Sequence, residues 1–205
     1  GEQPRRDQRG KQRFVGDEPH PAIQRTTLDH SLLALRTAAF VPRAVSLPRL
    51  MMAQAKILVI RLSALGDVLF TLPAVHALKL RWPGAEIDWL VEERAAALLD
   101  LYGGLRRRIV WRRADLGRQL RRPLEWPRAA ASLARHLGEV RRDPYDLVLD
   151  FQGNWKSGAH AWLCRGGRKV GFDRAHRREG TDLFFHATVA PPPQARHRVD
   201  RALAL

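Results

Sequence analysis

Apolar positions fall into a repeating order only after residue 52. From there Lys56-Ile57-Leu58-Val59-Ile60-Arg61-Leu62 is almost unbroken β-branched residue or Leu, the pattern of a strand buried on both faces of a parallel sheet. The small-residue turn Ser63-Ala64-Leu65-Gly66-Asp67 leads into a helix predicted over 67–81. Leu69, Leu72, Val75, Leu78 and Leu80 would form its apolar face, and Pro83-Gly84 ends it. Further strands are predicted at 87–91, 109–111, 147–151 and 169–172. Helices are predicted at 94–101, 128–142 and 157–164, with another beginning over 197–205. No internal repeat is present. Strand-then-helix units joined by short connections predict an α/β fold, a right-handed doubly wound parallel sheet.

Residues 1–21 are charged, polar, Gly and Pro with little apolar content, a composition that favours disorder. Residues 28–45 hold a short amphipathic stretch (Leu32, Leu33, Leu35, Ala38, Ala39, Phe40) closed by Pro42 and Pro48. Arg36 and Arg43 suit a membrane-surface helix, but the apolar face is barely two turns long and Asp29 interrupts it. Met51-Met52 stands directly before the first strand. Residues 1–52 are therefore expected to be disordered or a non-native upstream extension, and 53–205 to form the folded domain.

Charge sharpens this picture. Lys and Arg number 36 against 21 Asp and Glu, a net +15, which points to an anionic partner: nucleic acid, an acidic membrane surface or a phosphorylated substrate. The single cysteine, Cys164, excludes a disulfide framework and a cysteine zinc cage. No apolar run approaches the ~20 residues of a membrane span, and no signal-peptide core follows the first residues. A cytosolic protein is expected.

In open parallel sheets, ligands bind outside the carboxyl ends of the strands, so the loops there carry the candidate chemistry. Asp67, at the first, reads either as a helix-capping acid or as a general base held at the crevice. The sequence lacks both a Gly-x-Gly-x-x-Gly fingerprint and a Gly-Lys-Ser/Thr phosphate loop. The second loop carries Glu92-Glu93, which could bind sugar hydroxyls or simply open the next helix. The third holds five arginines in eleven residues, Arg112, Arg113, Arg118, Arg121 and Arg122. It reads as an anion-gripping flap or as a solvated charged loop. The fourth, Asp150-Phe151-Gln152-Gly153-Asn154-Trp155-Lys156-Ser157, enters a helix through a glycine that permits close backbone approach. Arg174, Arg177, Arg178 and Glu179 make a further basic segment. His176, His186 and His197 are isolated, and no metal is expected.

Taken together, these blocks resemble the lipopolysaccharide heptosyltransferases of glycosyltransferase family 9. The resemblance rests on Lys56 to Pro73, on Asp88-Trp89-Leu90-Val91-Glu92-Glu93, on Asp150 to Ser157, and on Gly171-Phe172-Asp173 with Arg177-Arg178-Glu179. It covers roughly residues 54–205. The Gln152-Gly153-x-x-Lys156-Ser157 block and the Trp89 strand look more like the type I than the type II branch. The family implies a GT-B architecture of two Rossmann-like halves, this chain being the amino-terminal acceptor domain. It implies inverting, metal-independent transfer of heptose from ADP-L-glycero-β-D-manno-heptose to Kdo-lipid A in lipopolysaccharide core biosynthesis. It implies no cofactor, no nucleic acid partner, and peripheral attachment to the cytoplasmic face of the inner membrane.

By that resemblance Asp67 matches the catalytic aspartate. Ser63, Gly66, Gln152, Lys156 and Ser157 fall at acceptor-binding positions. Arg112 and Arg113 correspond broadly to a mobile arginine-rich acceptor loop, and Arg178 to the arginine of an Arg-Glu-Pro segment whose proline is Gly180 here. The chain departs from the family at Leu205, before the donor-binding half, so this polypeptide alone is expected to lack transferase activity. The competing reading is a non-catalytic basic domain that binds nucleic acid or acidic lipid. Trp89, Trp111, Trp126 and Trp155 would stack on the ligand there, although core packing is the commoner fate for such residues.

Overall fold

The computed structural model describes residues 54–176 and 182–205, with Asp182 as backbone alone. The boundary expected at residue 52, the 28–45 stretch, and Arg177, Arg178 and Glu179 lie outside the described residues. Six parallel strands form one sheet: β1 Lys56–Ile60, β2 Glu86–Glu92, β3 Arg107–Trp111, β4 Pro144–Asp150, β5 Arg165–Phe172 and β6 Ala187–Val189, in the order β3-β2-β1-β4-β5-β6. The helices are α1 Leu65–Arg81, α2 Glu93–Ala96 continued by a 3₁₀ turn, α3 Arg113–Leu120, α4 Trp126–Val140, α5 Trp155–Leu163 and α6 Arg198–Leu203. This is the doubly wound arrangement that strand-helix alternation predicts.

Burial explains the strand pattern. Ile57, Leu58, Val59 and Ile60 are all fully buried, because side chains pointing to either face of β1 meet a helix layer. Ile57 and Val59 join one core with Trp89, Val91 and Leu149, whereas Leu58 and Ile60 join the other with Leu90, Ile109 and Val148. At the amino ends of the strands, fully buried Asp88 accepts from Arg106 Nε at 2.9 Å, Arg106 Nη2 at 2.6 Å and Tyr145 Oη at 2.8 Å. Those donors offset the cost of burying its charge.

Three expectations change. Of the face expected on α1, Val75 is buried and Leu72 and Leu78 pack against the core, but Leu69 and Leu80 are exposed, and Val68, Thr71 and Ala74 complete the buried side. The arginine-rich segment read as a flap or a solvated loop contains the helix α3, whose Gly117 and polar composition hide it from a periodicity reading. A sixth strand, Ala-Thr-Val, was too short for any pattern to reveal.

Candidate active site

Strand order reverses between β1 and β4, whose chain connections leave in opposite directions. This is the switch point at which open α/β sheets bind ligands. Three segments meet there: the β1–α1 turn, the β4–α5 loop, and α6, which packs against α1. Between them lies a cleft of about 160 Å³ whose lining includes Arg61, Asp67, Gln152, His176, Arg198 and Arg201.

Asp67 occupies the first turn of α1 and is 8% exposed. Its Oδ2 pairs with Arg61 Nη2 and its Oδ1 with Arg198 Nη1. The capping role open to it on sequence is not what its oxygens serve, and the N-cap residue, Ala64, has no side-chain cap hydrogen bond. Burial alone would raise the Asp67 carboxyl. The charges of Arg61 and Arg198, with their hydrogen bonds, outweigh that effect and hold it below the usual carboxylate range. The group is therefore an ionised acceptor of protons, restrained by two guanidinium groups. Arg61 is the buried partner, and its Nη1 also donates to the Phe151 carbonyl. Arg198 is the exposed one, with its side chain 56% accessible.

The β4–α5 loop is organised by a carboxylate the sequence reading did not single out. Fully buried Asp150 accepts from Gln152 N at 2.8 Å, Gly153 N at 3.2 Å and Ser157 Oγ at 2.7 Å. Gly153 turns the chain with φ of 69°, a left-handed conformation that favours glycine. Asn154 and Ser157 then close a reciprocal capping box on α5. Gln152 Oε1 reaches across to accept from both Leu62 N and Ser63 N at 3.2 Å, fixing the turn before Asp67.

Burial pushes the Asp150 carboxyl up to about 6, against the lowering effect of its hydrogen bonds and of Arg61. A carboxyl raised on folding from its ordinary 3.8 favours the folded state most while protonated. That contribution is lost as pH rises through about 6. Asp150→Asn is expected to abolish this slope. In urea titrations, the variant should gain stability relative to the parent chain between pH 4 and 6. A constant difference across that window would show that Asp150 ionises at its ordinary value.

The fold thus gathers Ser63, Gly66, Asp67 and Gln152 at one switch point. Lys156 is half-buried in the first turn of α5, beside the cleft-forming loop, and Ser157 is fully buried beneath it. Arg112 and Arg113 are exposed at the start of α3, beyond the carboxyl end of the edge strand β3. Arg113 lies 3.7 Å from Glu92, and the two arginines line other clefts. Arg178 lies outside the described residues. The sequence reading missed the roles of Arg61, Arg198, Arg201 and Asp150. Arg61 and Asp150 carried a usable signal, a charged residue directly at the end of a buried strand. Arg198 carried none, being 131 residues from its partner.

Of the four tryptophans weighed for stacking, Trp89 is fully buried and donates to the Arg61 carbonyl at 3.2 Å. Trp111 packs against His136 and His160. Trp126 and Trp155 are both 58% exposed, contrary to the expectation of core packing for most of the set.

A family model described as glycosyltransferase family 9 (heptosyltransferase) matches residues 131–205. Lipopolysaccharide heptosyltransferase 1 of Pseudomonas aeruginosa is 35% identical over 158 residues, which takes in 73% of this chain and 41% of that protein. The protein of the same name from Salmonella typhimurium is 31% identical over 155 residues, covering 73% of this chain and 46% of its own length. The chain thus spans less than half the length of these curated relatives. Among solved structures, E. coli heptosyltransferase WaaC with ADP-2-deoxy-2-fluoro heptose superposes with a TM-score of 0.64 at 29% identity, over 72% of this chain and 46% of that one.

Proposed function

We propose that this chain, a member of glycosyltransferase family 9 over the part it spans, is the acceptor-side half of a heptosyltransferase of lipopolysaccharide core biosynthesis. The observation that carries the reading is the cleft at the switch point: one buried carboxylate among Arg61, Arg198 and Arg201. Such a site suits an acceptor that offers a hydroxyl to a base and acid groups to the arginines, as a Kdo sugar on lipid A does. The donor would be ADP-heptose, consistent with the ADP-heptose analogue named with the E. coli structure.

In this reading Asp67 takes the proton of the acceptor hydroxyl. The hydroxyl oxygen forms its bond to the anomeric carbon on the face opposite the leaving group. The carbon–oxygen bond to ADP breaks, the electron pair leaves with the diphosphate, and the anomeric centre inverts. Arg198, exposed and able to move, would pass from Asp67 to the acceptor's carboxylate and so release Oδ1 for the proton. Ser63, Gly66 and Gln152 shape the turn that presents Asp67. Ser157 and Asp150 position the β4–α5 loop from beneath. Lys156, Arg112 and Arg113 would contact the outlying phosphates and carboxylates, with Arg178 assigned there by resemblance alone. Acting on that acceptor would place the protein peripherally at the cytoplasmic face of the inner membrane.

Binding tests the reading directly. The 205-residue chain is expected to bind Kdo-bearing lipid A about tenfold more tightly than lipid A lacking Kdo, the scale of one charge-assisted contact. Arg198→Gln should erase the difference. Equal binding of both lipids, or of duplex DNA at the same salt, would favour the non-catalytic basic domain instead.

A further inference from the structure

Away from the cleft, one corner of the molecule displays its apolar side chains outward. The chain leaves α3 at Leu120, turns through Arg121 and Arg122, makes a 3₁₀ turn over Pro123–Glu125 and enters α4 at Trp126. Leu120 is 57% exposed, Leu124 97% and Trp126 58%. Three large hydrophobic residues within seven positions are thus left in water, although each is flanked by ordered structure. The corner is held in shape, since Trp126 Nε1 donates to the Leu120 carbonyl at 3.2 Å and Arg122 pairs with Glu125 at 3.0 Å. Large apolar side chains left exposed together on an ordered element mark an interaction site.

Its charge identifies the partner. Residues 112–128 carry six arginines against two acids, Asp115 and Glu125. Both acids are already paired with arginines, Arg118 and Arg122. Arg121 and Arg128 stand exposed beside the apolar tip and have no ion-pair partner among the described residues. Leucine and tryptophan flanked by arginine is the composition that enters the headgroup boundary of an anionic bilayer. There the apolar tip sinks to the acyl chains, the indole stays at the interface and the guanidinium groups meet phosphate. A projecting corner with Leu124 almost wholly exposed also suits a fluid surface better than a preformed groove.

We infer that the α3–α4 corner, with Leu124 and Trp126 at its tip and Arg121 and Arg128 beside it, is a docking element for an anionic lipid surface. This deepens the peripheral placement proposed above by assigning it an element, and it is tested apart from the transfer reaction. The corner follows β3 in the chain, after the carboxyl end of that strand.

The test uses the 205-residue chain and vesicles of phosphatidylglycerol and phosphatidylethanolamine free of any Kdo lipid, so that failure here leaves the acceptor reading standing. Sedimentation should show binding that persists at 0.3 M salt, about where simple attraction of a basic protein is screened. Leu124→Ser keeps the charge and alters a side chain in open solvent. It is expected to lower the vesicle partition coefficient about tenfold, as loss of one inserted leucine would. Brominated lipid should quench fluorescence in the parent chain and in Trp162→Phe, but far less in Trp126→Phe. Equal partitioning of the parent chain and Leu124→Ser, or loss of both with salt, would overturn the inference in favour of unspecific electrostatics. Self-association without vesicles that Leu124→Ser abolishes would overturn it in favour of a second copy of the chain.

Discussion

On the proposed reading, Asp67→Asn in a full-length heptosyltransferase containing this half is expected to lower kcat about 10²–10⁴-fold, the usual worth of a positioned general base. KM for the acceptor should change much less, because the arginines that would hold its acid groups remain. The amide keeps the size of the carboxylate but cannot take a proton, and it presents N–H groups toward Arg61 or Arg198. Some stability should therefore go with the activity, and a second variant separates the two. Asp67→Glu retains the negative charge on the arginines while displacing the carboxylate by one methylene. It should preserve the urea midpoint better than the amide and still lose most of the turnover. A simple helix-dipole role predicts otherwise: about 1 kcal/mol of stability lost in the amide variant and unchanged turnover. The pH profile provides a further readout. Since Arg198 helps to depress the Asp67 carboxyl, Arg198→Gln should move the acidic limb of kcat/KM to higher pH. A limb that stays in place would remove Asp67 as the titrating base.

Which parts of this site were legible in the sequence follows from how each is built. β1 and β4 announce themselves because strands covered on both faces must be apolar almost throughout. The turns at their carboxyl ends were then found by position, which located Ser63, Gly66, Asp67 and Gln152 together. Pattern fails where an element is short or solvated. β6 is three residues long, and α3 offers no fully buried residue to betray its period. Ser157, placed at an acceptor-binding position by the resemblance, is fully buried, and its hydroxyl donates to Asp150. Its full burial follows from the capping box and from Asp150 beneath it. Arg198 was beyond reach for another reason. Its partnership with Asp67 depends on α6 returning across α1, and no local spacing encodes that.

The second large effect concerns stability. Arg61→Met should cost about 3–5 kcal/mol, the loss expected when one member of a buried ion pair is removed. Arg61 is where the cleft joins the fold. Its guanidinium reaches Asp67 and the Phe151 carbonyl, while its backbone donates to the Leu90 carbonyl and accepts from Trp89. Methionine keeps much of the stem's packing, so the measured cost isolates the guanidinium. Without it, the Asp67 carboxylate stays buried with Arg198 alone, and the Phe151 carbonyl loses its donor. The urea midpoint should fall at constant m. Lysine should recover only part of the loss, because a single ammonium lacks the planar fork that serves both oxygens.

The dependence on pH gives the mechanism away. A depressed carboxyl contributes stability above its unfolded value, near 3.8, and loses it as pH falls through the folded one. The gap between Arg61→Met and the parent chain should therefore narrow on acidification, as Asp67 takes up its proton. The double variant Arg61→Met with Asp67→Asn should be more stable than the two single losses would sum to, because no stranded charge remains. A cost for Arg61→Met below about 1 kcal/mol would mark the pair as a solvent-screened contact. In that case the depressed carboxyl would owe its state mainly to Arg198, and the restraint on Asp67 would lie wholly on the exposed side of the cleft.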